Sequence, residues 1–217
     1  MRAGRALVLV VSVLAVIASL LSQAMAAEPL YSYSSRGVSA YADWSKCNNS
    51  GCWYVSLYAF QGTQKGAEGP FNGTRVCVFA SGFSSGESYV TGCSQAPRGT
   101  LSVTKDLSSA TLDSTSVGAH VCTYDYKTDE EVCDPNDTRM LTASASWTGF
   151  GSTYSDSWRY SFTDGSCKET DSGKGTAREA TARGVVNDIV FRRRHLDYAG
   201  LGKGMERYRS TCEFIYG

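Results

Sequence analysis

The feature that most restricts what this chain can fold into is a pair of period-two runs closed by two cysteines. Val38, Ala40, Ala42 and Trp44 alternate with Ser39, Tyr41 and Asp43, and Trp53, Val55, Leu57 and Ala59 alternate with Tyr54, Ser56, Tyr58 and Phe60. Successive side chains on a strand point to opposite faces, so each run predicts a strand with one dry and one wet side. Asn48, Asn49, Ser50 and Gly51 between them are turn formers. Folding about that turn sets Cys47 opposite Cys52, Trp44 opposite Val55 and Ala42 opposite Leu57. One register therefore serves both a core and a disulfide.

The chain holds eight cysteines: Cys47, Cys52, Cys77, Cys93, Cys122, Cys133, Cys167 and Cys212. An even number in an exported chain predicts four disulfides. Export is read from the N-terminus, where Arg2 and Arg5 lead into an apolar run from Ala6 to Leu21 and then Ala24-Met25-Ala26. A basic start, an apolar centre and small residues at a cleavage site make a secretory signal, so residues 1–26 are expected to be removed. The run is shorter than the roughly 20 residues that a membrane-spanning helix needs. The mature chain, 27–217, is expected to be secreted and extracellular, periplasmic or at a cell wall, with no membrane span.

Eight cysteines permit about 105 connectivities, and strand geometry narrows them. A second hairpin, about Gly82 to Gly86, pairs 74–80 with 89–93 and sets Cys77 against Cys93. A third, about Tyr126 to Asp129, sets Cys122 against Cys133. By elimination Cys167 joins Cys212.

Residues 38–45 match 141–148 position by position in polarity, and a second tryptophan follows each segment, Trp53 and Trp158. One reading is an internal duplication, with repeat-like halves 34–137 and 138–217 in a single β-rich domain. The other is that two amphipathic hairpins share a pattern without a common origin. Two tryptophan-bearing faces packed on each other predict an all-β fold, a disulfide-braced antiparallel β-sandwich. Further strands are predicted at 101–105, 119–124, 176–182, 185–191 and 206–214.

The functional expectation comes from the wet side of the first hairpin. The register that buries Trp44 and Leu57 points Tyr41 and Tyr58 outward as neighbours, with Tyr54 and Phe60 on the same surface. Four rings on one sheet face predict an aromatic platform on which sugar rings or a partner's apolar surface stack. The competing reading is that cross-strand aromatic pairs only stabilise the sheet. The corresponding face of the second segment, with Thr142, Ser144, Ser146, Arg159 and Ser161, is polar. The expectation is a non-catalytic binding or structural protein, with carbohydrate or a cell-surface component as ligand. An extracellular protein partner is the alternative, including a protease inhibited by disulfide-rigid loops.

Catalysis finds weaker support. Gly82-Phe83-Ser84-Ser85-Gly86 has the form of a nucleophile elbow, but that motif needs a strand-to-helix turn and here it joins two predicted antiparallel strands. Ser84, His120 and Asp106 are the triad that such a serine hydrolase would use. No cofactor and no metal are expected. The acidic stretch Asp125, Asp129, Glu130, Glu131, Asp134, Asn136 and Asp137 lacks the ligand spacing of a calcium loop. Arg192-Arg193-Arg194 reads as an exposed charge run, and Asn48, Asn72 and Asn136 are glycosylation acceptors if the source is eukaryotic. Loss of Arg2 and Arg5 with the leader leaves 19 basic against 21 acidic side chains, a net charge of −2. Such a balance argues against a nucleic-acid partner.

Overall fold

The computed structural model describes residues 31–48, 51–66, 69–82, 88–125, 130–164 and 167–212. The predicted signal, Asn49 and Ser50, the turn holding Ser84, the 126–129 turn and residues 213–217 lie outside the described residues.

Eleven strands carry the fold: β1 (Tyr31–Asn48), β2 (Gly51–Lys65), β3 (Phe71–Ser81), β4 (Tyr89–Ala96), β5 (Leu101–Val103), β6 (Ser109–Asp125), β7 (Glu130–Gly149), β8 (Tyr154–Asp164), β9 (Cys167–Val186), β10 (Ile189–Phe191) and β11 (Leu196–Ser210). A 3-10 turn, Arg193–His195, precedes β11. Every pairing is antiparallel, and the predicted registers hold, with Trp44 opposite Val55, Ala42 opposite Leu57 and Tyr41 opposite Tyr58. All four predicted disulfides are formed. The all-β, disulfide-braced class is as the sequence implies.

The pairings add closure. From β1 they run through β2, β3, β4, β6, β7, β9 and β11 and return to β1, so eight strands wrap into a barrel. The two separate sheets of a sandwich are joined because β9 is long enough to bridge them. It pairs with β11 along Glu169–Glu179 and with β7 along Ala180–Val186. Closure leaves no free edge around the core.

Apolar side chains point inward and Thr142, Ser146 and Thr148 of β7 point out, the reverse of a lipid-facing barrel. Trp44 and Trp147 are both fully buried, with alanines such as Ala42, Ala143 and Ala145 making room for them. Trp44 packs on Phe191 with ring centroids 5.7 Å apart, and Trp147 donates its Nε1–H to the Tyr41 carbonyl at 3.0 Å. Leu101 and Leu107 fill one end of the barrel, where Lys203 Nζ donates to the Lys105 carbonyl. Phe191 fills the other, where Lys46 Nζ donates to the Val190 carbonyl. The predicted strand 185–191 is broken by Asn187 and Asp188, both at positive φ, into the end of β9 and the start of β10.

The hairpin implied by matching 141–148 and Trp158 to the first pair of strands is not formed. Among the described residues β7 pairs with β6 and β9, whereas β8 pairs with β9. Trp158 consequently faces outward, lying over Gly173, where any Cβ would come within 2.2 Å of the indole. Trp44 and Trp147 share the interior and Trp53 packs partly buried against it, whereas Trp158 does not.

Four barrel strands, β1, β2, β9 and β11, run on past the barrel with β8 added beside β9, and the junction is marked by a row of glycines. Gly73, Gly62, Gly37, Gly204 and Gly175 stand side by side on β3, β2, β1, β11 and β9. A Cβ on Gly37 would lie 2.3 Å from the Gln61 carbonyl oxygen, and one on Gly62 would lie 2.2 Å from that of Arg36. At these two positions the chains approach too closely for any side chain. Beyond the row, β1, β2, β8, β9 and β11 continue as an extension that gives no residue to the apolar core cluster. Polar contacts hold it: Gln64 to Tyr33 (3.1 Å), Trp158 to Asp171 (3.0 Å) and Tyr208 to Glu169 (3.0 Å). The Cys167–Cys212 bridge ties its end.

Candidate functional site

The outward face of β2, β1, β11, β9 and β8 forms a trough. Its cross-strand rows read Phe60, Ser39, Gly202, Ala177, Tyr154, then Gly62, Gly37, Gly204, Gly175, Asp156, then Gln64, Ser35, Glu206, Gly173, Trp158. The central strands carry almost no side-chain bulk, while the flanking strands carry rings. A floor of glycine, serine and alanine therefore lies between a wall from β1 and β2 (Tyr41, Tyr58, Phe60) and a wall from β8 and the loop before it (Phe150, Tyr154, Trp158). The enclosed volume is about 310 Å³, at the lower end of ligand-sized clefts. Nothing overlies the floor at Gly175, where a Cβ would meet no atom nearer than 3.7 Å.

Three of the four predicted platform residues, Tyr41, Tyr58 and Phe60, line this trough, and Tyr54 does not. Tyr54 stands outside it, 39% exposed, with its ring edge-on to Phe79 at 6.1 Å. Nor do the rings make the flat exposed surface that the sequence predicts. Phe60 is 8% exposed because its ring folds over Gly37 and Gly62. Tyr41 and Tyr58 are half-buried, and burial pushes both phenols up from their ordinary range. Tyr41 donates its hydroxyl proton to Asp43, which also accepts from Ser56.

The more exposed aromatic wall comes from β8, whose outward residues are Tyr154, Trp158, Tyr160 and Phe162. The pairing of β8 with β9, which no pattern within β8 shows, decides which of its faces looks into the trough. A usable signal lay in the sequence. Gly200-x-Gly202-x-Gly204 and Gly173-x-Gly175 put glycine at every second position of a strand, baring one face of each.

The trough also holds a carboxyl of altered acidity. Glu206 is half-buried, and burial, aided by the charge of Asp171, pushes it up to about 7. Asp171 accepts from the Trp158 indole through Oδ2, while its buried Oδ1 has no partner.

Other sites fare less well. A wider hollow of about 1120 Å³ on the outside of β6, β7 and β9 is lined chiefly by serine, threonine and arginine, and its one aromatic residue, Phe191, is buried. Asp106 accepts from the Ser108 amide and hydroxyl, which hold it down at about 2. His120 contacts Thr138. Asp106 and His120 are separated by eleven residues of β6, on the order of 35 Å of extended chain. They do not converge, and Ser84 lies outside the described residues. Near the acidic hairpin Asp134 caps the Asn136 amide, and Asp137 pairs with Arg139 at 3.6 Å. Cys122, Glu131 and Cys133 lie within coordination distance of one another, but both sulfurs are consumed by their disulfide. Arg192, Arg193 and Arg194 are exposed, as are Asn48, Asn72 and Asn136.

No protein-family model, curated protein or solved structure matches this chain. Among the described residues no helix is long and apolar enough to cross a membrane.

Proposed function

We propose that this is a secreted, non-catalytic binding protein whose trough takes a carbohydrate chain. The observation that carries the reading is the bare floor between facing aromatic walls. A sugar ring has apolar faces that stack on rings such as Trp158 and Tyr154, and a polar rim that needs donors and acceptors. Ser35, Ser39 and Glu206 supply those along the floor. Four disulfides support an oxidising, extracellular setting.

A glycan array on the purified protein tests this, with Trp158→Ala and Gly175→Leu as probes and Gly118→Leu as control. A leucine at Gly175 grows from the floor into the trough. Gly118 lies on β6, away from it, and a Cβ there is equally free of close contacts. Loss of glycan signal in the first two variants alone supports the reading, and the same profile in all three refutes it.

Among the described residues β8 pairs on one side only, and its outer edge favours a second reading, in which an extended protein segment adds a strand beside it. Binding to peptide ligands and to no glycan would establish that alternative.

A further inference from the structure

The extension shows solvent its other face as well, and the charges there are of one sign. Seven exposed cations stand on it: Arg36, Lys65, Arg159, Lys168, Lys174, Arg207 and Arg209. The remaining positions of that face beyond the glycine row are serine, threonine and Met205, with no aspartate or glutamate. The acids of these strand segments, among them Glu169, Asp171 and Glu206, point the opposite way into the trough side. A near-neutral total hides a sheet that is acidic and aromatic on one face and basic on the other.

Across the strands each cation is kept from the next by an uncharged residue, while Arg207 and Arg209 follow one another on the same face of β11. Arg207 lies between Ser34 and Ser172, Arg36 between Thr63 and Met205, and Arg209 between Ser32 and Thr170. The row Lys65, Ser34, Arg207, Ser172, Arg159 places three cations on alternate strands, about 10 Å apart. Among the described residues none of the seven forms an ion pair. If the face served stability alone, acids opposite the cations would serve it better. Seven like charges without them repel one another and raise a local positive field.

We infer that this face binds an acidic polysaccharide, a chain of sulfated or carboxylated sugars. Cations interspersed with hydroxyls across the strands match a chain whose anions alternate with hydroxyl-bearing rings. Met205 is the one apolar side chain among these positions, which leaves little to insert into a lipid surface. The inference is independent of the trough, which lies on the other side of the same strands.

The test is binding of the disulfide-intact protein to dextran sulfate by titration calorimetry, with neutral dextran as blank. Arg36→Ser/Lys174→Ser/Arg207→Ser is expected to weaken binding on the order of tenfold, and 500 mM salt to weaken the wild type further. Gly175→Leu is expected to bind dextran sulfate unchanged, which separates this site from the trough. A second variant, Ser34→Asp/Ser172→Asp, gives Arg207 internal partners; it should unfold no earlier than wild type and still bind less. Undiminished binding by both multiple variants overturns the inference. So does tighter binding to phosphatidylserine vesicles or duplex DNA than to dextran sulfate.

Discussion

The barrel and the extension share β1, β2, β9 and β11 yet are stabilised in different ways. In the barrel the inward positions are Ala, Val, Leu and Trp, and their burial drives closure. Past the glycine row the same strands carry polar and charged residues on one face and rings with acids on the other, with no apolar core between. The extension persists because hydrogen-bonded ladders already registered by the barrel continue into it, and because one disulfide closes its end. Freed from core packing, both of its faces are available for recognition. The lesson is a division of labour along single strands, with the glycine row as the boundary.

That division is open to direct attack, and the largest effect belongs in the barrel. Trp44→Ala removes a fully buried indole from Phe191 and should cost about 3–5 kcal/mol in denaturant unfolding. Trp158→Ala should cost under about 1 kcal/mol, since its ring is on the surface side, while abolishing trough binding. Equal costs would erase the distinction between the two regions.

Disulfides sharpen it next. Cys167 and Cys212 are 45 residues apart and Cys47 and Cys52 are 5 apart, so loop closure assigns about 4 kcal/mol to the first bridge and about 2 kcal/mol to the second. Replacing each pair by serine should reproduce that order, and hydrogen exchange should show the extension loosening first when Cys167–Cys212 is lost.

Two glycines of the same row should then behave oppositely. Gly37→Ala forces a Cβ to within 2.3 Å of a carbonyl oxygen and should cost about 1–3 kcal/mol. Gly175→Ala meets only ordinary contacts and should be neutral or slightly stabilising in a thermal melt.

The smallest effect is the pH dependence set by Glu206. Its carboxyl is raised from the usual 4.5 to about 7, so the folded state holds the proton more tightly than the unfolded one. Stability is full below the ordinary value, falls as pH rises towards 7 and levels off above it. Glu206→Gln should flatten that slope in urea midpoints measured from pH 4 to pH 8. A variant with the wild-type slope would place the titration elsewhere.

Legibility in the sequence followed the same boundary. Period-two patterns and turn residues located β1 to β4, the pairing of β6 with β7 and three disulfides, because these are contacts between segments close along the chain. The fourth bridge followed by elimination. The departures in strand pairing involve β8 and β9. Matching 141–148 to 38–45 suggested a hairpin with 158–162, but β9 takes β7 and β8 as successive partners along one edge. Tyr54 shares its parity with Tyr41 and Tyr58, but parity says nothing about how far across a curved sheet a trough extends.

Local alternation and cysteine spacing by themselves determined that this protein is all-β, which side of each hairpin is dry and which cysteines meet. Those properties are set between strands joined by short turns, where few registers bury the apolar side. Closure into a barrel, the alignment of five glycines and the opposing charge of the two extension faces were decided only in three dimensions. Each depends on pairing strands far apart in sequence, whose register is fixed by the packed core rather than by any residue pattern within one strand.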